Sequence, residues 1–139
     1  MIAPSSSRPP SARARILIVD GMSSVCHMLA ELLERHGYAT DLANSAREAL
    51  LLAATGRWDA VLLDIGLPDM NGVELYTQLN ANNGRECLPV IFVSGYTGQS
   101  LLESLQGERG ISTLTKPFSV HRFLRTLEQS LRHDNTISA

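Results

Sequence analysis

VLLDIGLPDMNGVEL, residues 61–75, reads as a strand, a polar loop and the start of a helix. With Ala60 in front, Val61-Leu62-Leu63 is a short continuous apolar run, which suits a strand buried on both faces. The run stops at a carboxylate, Asp64. Pro68 and Gly72 shape the loop that follows, and Val73, Leu75, Tyr76 and Leu79 suggest a helix.

The same alternation continues in both directions. Upstream, Ile16-Leu17-Ile18-Val19 is a β-branched-rich strand, followed at helical spacing by Val25, Met28, Leu29, Leu32 and Leu33, with Gly37 as the stop signal. Tyr38 to Ala43 is a second strand, interrupted by Thr40 and Asp41. Ser45 reads as an N-cap with Glu48 completing a capping box, and Ala46, Ala49, Leu50 and Ala53 form the next stripe, ending at Gly56. Downstream, Val90-Ile91-Phe92-Val93 is a fourth strand stopped by Ser94-Gly95. Leu101, Leu102 and Leu105 mark a fourth helix cut off by Gly107. Ile111 to Thr115 is a short fifth strand, and Val120, Phe123, Leu124, Leu127 and Leu131 form a last helix. Five strands alternating with five helices predict an α/β fold, a doubly wound parallel sheet covered on both faces. Right-handed crossovers place the site of such a sheet beyond the carboxyl ends of its strands.

Composition narrows the function classes. The chain has 139 residues, of which 44% are hydrophobic and 19% charged, enough for one domain with a core of its own. A net charge of −2 recommends neither nucleic acid nor an anionic membrane as the main partner. Cys26 and Cys87 lie far apart with no CxxC pair and no His cluster, the pattern of reduced thiols rather than a zinc site or disulfide. No apolar run is long enough to span a bilayer, and the first residues carry no secretory signal, so a cytoplasmic protein is expected. Residues 1–14, with three prolines and four serines, read as a disordered tail; 15–133 form the domain, and 134–139 a short polar tail.

The polar residues that end the apolar strands are Asp20, Asp64, Ser94 and Lys116, after strands one, three, four and five. A doubly wound sheet brings all four to one crevice. Two carboxylates, a hydroxyl and an ammonium suit a divalent cation and a phosphoryl group, with Asp64 able to accept that group covalently. Singly, each residue has a plainer reading: Asp20 and Asp64 as cap or strand-end residues, Ser94 as part of a turn, Lys116 as a solvated charge before Pro117. Their arrival together from four strand ends favours the chemical reading.

The segments ILIVDG (16–21), VLLDIGLPDMNGVEL (61–75), VIFVSG (90–95) and TKPF (115–118) in this order resemble the receiver domain of two-component response regulators, across residues 15–133. The resemblance implies a flavodoxin-like fold with strand order 2-1-3-4-5. It makes Asp64 the phosphoacceptor, Ser94 the hydroxyl that moves toward the phosphoryl group, and Lys116 its ionic partner. Asp20, Asp64 and the backbone carbonyl of Gly66 would hold Mg²⁺. The donor would be a phosphohistidine on a sensor histidine kinase or a phosphotransfer protein, and the output a contact with a downstream protein, from a monomer or weak homodimer without direct nucleic acid binding.

Two positions depart from the family. Receivers usually carry two adjacent acids after the first strand; here the second is Gly21. Loss of one such ligand is expected to weaken Mg²⁺ binding by roughly ten- to a hundredfold. Three residues before Lys116 the family usually places Tyr or Phe, a ring that changes rotamer with the hydroxyl; here Thr113 stands. Tyr96 is expected at the pocket rim, as cover for apolar surface or as a gate. These departures favour a second reading, a degenerate receiver that binds a partner without phosphate. A third, a phosphotransferase or phosphatase of the haloacid-dehalogenase type, needs a second Asp two residues after the nucleophile, where this chain has Gly66. A flavin site lacks a suitable phosphate loop, GMSS (21–24) being a poor substitute. The expectation is therefore a signalling module and not an enzyme.

Overall fold

β1 (Arg15–Val19) lies between β2 (Ala39–Ala43) and β3 (Ala60–Asp64), and β4 (Val90–Ser94) and β5 (Ile111–Thr115) extend the sheet on the far side of β3. All neighbours are parallel, giving the order β2-β1-β3-β4-β5. These relations come from a computed structural model that describes residues 13–82, 88–95 and 110–138, with side chains as far as 132. The described helices are α1 (Ser23–Arg35), α2 (Ala46–Ala53), α3 (Gly72–Asn82) and α4 (Val120–Ser138). The helix expected around Leu101, Leu102 and Leu105 lies outside the described residues, as do Tyr96 and Cys87. No helix among the described residues is long and apolar enough to cross a membrane.

The apolar strand runs are continuous because both sheet faces are buried, and alternate residues feed separate cores. Ile16, Ile18, Leu62, Ile91 and Val93 pack with Leu29 and Leu33 of α1 and Phe123 and Leu127 of α4. Leu17, Val19, Val61, Leu63, Val90 and Phe92 pack on the other face with Ala46 and Ala49 of α2 and Leu75 and Leu79 of α3. Each side chain of this set is almost fully withdrawn from water, the main stabilising contribution.

Several elements differ in detail from the sequence reading. β2 begins at Ala39, and Tyr38 before it is buried with the Arg13 guanidinium 4.8 Å over its ring. Asp41 tolerates a strand because Arg15 grips it in a bidentate pair at 2.8 and 3.0 Å, and the Trp58 indole donates to it at 2.9 Å. Met28 and Val120, counted with the apolar stripes, are 61% and 55% exposed. Arg13 and Ala14 belong to the packed structure: Ala14 is buried, and the Arg13 amide donates to the Gly37 carbonyl. At the other end, α4 runs on to Ser138, so helix occupies residues read as a polar tail. Gly37 ends α1 as expected, with φ of 89°, a left-handed conformation that favours glycine.

Candidate functional site

The carboxyl ends of β1, β3 and β5 place Asp20, Asp64 and Lys116 side by side. Lys116 Nζ donates to Asp20 Oδ2 and to Asp64 Oδ2, each at 3.2 Å. Each carboxylate keeps its other oxygen for the backbone: the Met22 N–H donates to Asp20 Oδ1 and the Gly66 N–H to Asp64 Oδ1, both at 2.9 Å. Two local turns thereby orient the carboxylates alongside the lysine. Asp20 is further held from behind, since its amide donates to the Ala43 carbonyl and its carbonyl accepts from Asn44 Nδ2 at 3.1 Å. Its side chain is 6% exposed, whereas those of Asp64 and Lys116 are 16% and 32% exposed. Asp64 is thus within reach of a ligand, and Asp20 sits deeper.

Ser94 ends β4 at the same edge, 2% exposed, with its register partner Thr115 directly before Lys116. Its hydroxyl donates to the Gly95 carbonyl at 3.0 Å, while its own carbonyl accepts the Lys116 amide at 2.8 Å. The structure thus places Ser94 at the rim with its hydroxyl engaged in the local loop. The Lys116–Pro117 peptide is cis. Thr113 is half-buried on β5 opposite Phe92.

Burial alone would pull the Lys116 ammonium down. The charges and hydrogen bonds of Asp64 and Asp20 outweigh it and hold Lys116 above its ordinary value. Beneath Asp20, burial first and the Asp20 charge second push the Cys26 thiol up to about 11, and the thiol donates to the Asp20 carbonyl at 3.4 Å. Cys26 is therefore a neutral packing group.

Among the described residues, two carboxylates face one ammonium in the crevice, one more negative charge than positive. Among the described residues no cluster of three or more His, Cys, Asp or Glu could hold a metal. The donor set fits an ion that keeps most of its own waters and takes one or two carboxylates, as Mg²⁺ does, rather than a fully caged metal. Gly21 is exposed and without left-handed strain; a Cβ there would meet only Pro68 Cδ, at 3.5 Å. The missing second acid is thus a matter of residue identity, because the backbone has room for a side chain.

Residues that sequence reasoning overlooked hold the Asp64 loop in place. Asp69 Oδ1 accepts from the Ala46 N–H at 2.9 Å and Oδ2 from the Arg47 N–H at 3.0 Å, docking the loop on the first turn of α2. Ser45 Oγ caps the Glu48 N–H as predicted, but Glu48 reaches back to the Asn44 amide. Asn71 Oδ1 accepts from the Val73 N–H at 2.7 Å at the start of α3, a signal legible in an Asn placed just before a helix.

Several known proteins resemble this chain in sequence and fold. Residues 16–128 match the family model of the response regulator receiver domain. Protein PilH of Pseudomonas aeruginosa is 32% identical over 120 residues, covering 85% of this chain and 98% of PilH. The polar-differentiation response regulator DivK of Brucella anthropi is 30% identical over 116 residues, covering 84% of this chain and 94% of DivK. The transcriptional regulatory protein ZraR of Escherichia coli is 33% identical over 125 residues, 89% of this chain but only 28% of ZraR's length. Among solved structures, chemotaxis protein CheY4 of Vibrio cholerae superposes with a TM-score of 0.77 at 28% identity, over 86% of this chain and all of CheY4.

Proposed function

From the premise that this chain belongs to the response regulator receiver family, we propose that Asp64 accepts a phosphoryl group from a phosphohistidine and that the change is read by a protein partner. The observation that carries this reading is the ammonium of Lys116 shared between Asp20 and Asp64 at 3.2 Å. A carboxylate oxygen of Asp64 attacks phosphorus, the N–P bond of the donor breaks, and the imidazole leaves with the bonding pair. Lys116 is placed to follow the new charge, exchanging a carboxylate oxygen for a phosphoryl oxygen. The Ser94 hydroxyl leaves the Gly95 carbonyl and donates to another phosphoryl oxygen. These exchanges bias two arrangements of the β4–β5 edge and so alter partner affinity.

Asp20, Asp64 and the Gly66 carbonyl would hold Mg²⁺, which when bound neutralises charge on the transferring phosphoryl group. The donor would be a sensor histidine kinase or phosphotransfer protein. Met22, next to Gly21, is 58% exposed and would offer apolar surface for docking it. The module acts by binding rather than by turnover, in the cytoplasm, as a monomer or weak homodimer, without nucleic acid contact of its own.

Incubation with acetyl phosphate and Mg²⁺, followed by intact mass, tests the reading. A phosphoryl increment is expected in the native chain and none in Asp64→Asn. A second reading, a receiver that binds its partner without phosphate, is favoured by Gly21, which leaves two carboxylates in the crevice. An absent increment at saturating Mg²⁺, with partner binding unaffected by Asp64→Asn, would establish it instead.

A further inference from the structure

The end of β2 pins the backbone of Asp20 on both sides. The Asp20 N–H donates to the Ala43 carbonyl at 3.1 Å, and its carbonyl accepts from Asn44 Nδ2, also at 3.1 Å. The Cys26 thiol donates to the same carbonyl at 3.4 Å, but S–H is a weak donor. Asn44 therefore supplies the stronger contact. Asn44 is held in its turn, because its own N–H donates to Glu48 Oε1 at 2.8 Å while the Glu48 N–H donates to Ser45 Oγ at 3.1 Å. The capping box of α2 thus steadies a residue whose amide side chain reaches the end of β1.

We propose that Asn44 is a positioning residue, setting the direction of the Asp20 carboxylate for Mg²⁺ through the Asp20 backbone. This deepens the reading of Asp20 and Asp64 as the carboxylates that hold the ion, and rests on it. Each residue has only two soft backbone dihedrals, so a fixed N–H and a fixed carbonyl settle both at Asp20. The direction of its Cα–Cβ bond follows. The Met22 N–H then holds Asp20 Oδ1 at 2.9 Å, and Oδ2 meets the Lys116 ammonium at 3.2 Å. Asp64 Oδ2 meets the same ammonium at 3.2 Å, so a turn of the Asp20 backbone changes the spacing of the two carboxylates. A hydrated ion that takes an oxygen from each responds to that spacing. With Gly21 beside it, Asp20 is the one acid among residues 20–22, and no adjacent carboxylate offsets a misplacement.

Addition of Mg²⁺ to the full chain, followed through the amide shifts of Met22 and Gly66, tests the assignment. Asn44→Ala and Asn44→Leu, the second similar in size but without a donor, should each raise the Mg²⁺ midpoint by about three- to tenfold. Leu79→Ala, which opens the core under α3, should lower the urea midpoint and leave the Mg²⁺ midpoint in place. In an Asp20→Asn background, Asn44→Ala should add less than about a twofold difference, since it acts through the Asp20 carboxylate. A native chain whose amides do not respond to Mg²⁺ would overturn the reading of the ion site and the proposal with it. A native response that both Asn44 variants match would overturn the proposal alone. So would an equal loss in Leu79→Ala, or an undiminished effect of Asn44→Ala once Asp20 is replaced.

Discussion

Lys116 and Asp64 form an ion pair at 3.2 Å in which the ammonium is shared with Asp20, so the crevice carries a cation of its own. An added Mg²⁺ has to compete with that ammonium for the same oxygens. Lys116→Met removes the competitor and leaves two carboxylates facing each other. Mg²⁺ affinity should rise by about tenfold, ~1.4 kcal/mol, while acetyl phosphate labels Asp64 less completely. Calorimetric Mg²⁺ titration measures the first and intact mass the second. A variant that binds Mg²⁺ no better than the native chain would show that the ammonium does not oppose the ion.

Gly21 sets the other half of the metal question. A Cβ at this position would meet only Pro68 Cδ, at 3.5 Å, an ordinary contact distance. Gly21→Asp should therefore fold normally and add a carboxylate at the mouth of the crevice. Mg²⁺ binding is expected to tighten by roughly ten- to a hundredfold, with the unfolding midpoint little changed in metal-free buffer. Unchanged Mg²⁺ affinity in a folded Gly21→Asp protein would mean that Asp20 and Asp64 already complete the protein's share of the coordination.

The strands were readable because each central one is an unbroken apolar run, and the edge residues Asp20, Asp64, Ser94 and Lys116 followed from where those runs stop. β2 was harder to read. Its one charged residue, Asp41, is held by Arg15 and Trp58, contacts between residues far apart in the chain. Met28 fits a helical stripe by spacing yet stays exposed, because periodicity marks a helix face without stating how wide its cover is. The direction of the Ser94 hydroxyl and the anchoring role of Asp69 depend on neighbours that only the folded chain supplies. In LPDMNG (67–72), Asp69 looks like any turn residue.

Gly72 is required by space. A Cβ there would lie 2.6 Å from Ile65 Cα, 2.7 Å from Leu63 Cδ2 and 3.0 Å from the Asp64 carbonyl oxygen. Two of these neighbours are backbone atoms of the loop that carries Asp64, so relief of the clash must move that loop. Gly72→Ala should destabilise the fold by about 1–3 kcal/mol and lower the rate of labelling by acetyl phosphate. Gly95→Ala is the control, since nothing lies within 4 Å of its added Cβ, and it should stay within about 0.5 kcal/mol of the native protein. Urea unfolding of the two variants separates crowding from a general intolerance of substitution at this edge.

Asp69 links the Asp64 loop to α2 through charge as well as geometry. The N–H groups of Ala46 and Arg47 both point at its carboxylate and hold it below the usual carboxylate range. The positive end of the helix dipole acts in the same sense. A carboxylate depressed in the folded state contributes stability that is fully present above its unfolded value near ~4 and is lost as pH falls through the folded value. Asp69→Asn keeps an acceptor oxygen but no charge. It should be less stable than the native chain at neutral pH, with the two converging as acid protonates Asp69. Urea midpoints from neutral pH down into the acid range measure this convergence. Parallel curves with a constant offset would assign the contribution of Asp69 to hydrogen-bond geometry alone, and identical curves would remove it as an anchor of the phosphoacceptor loop.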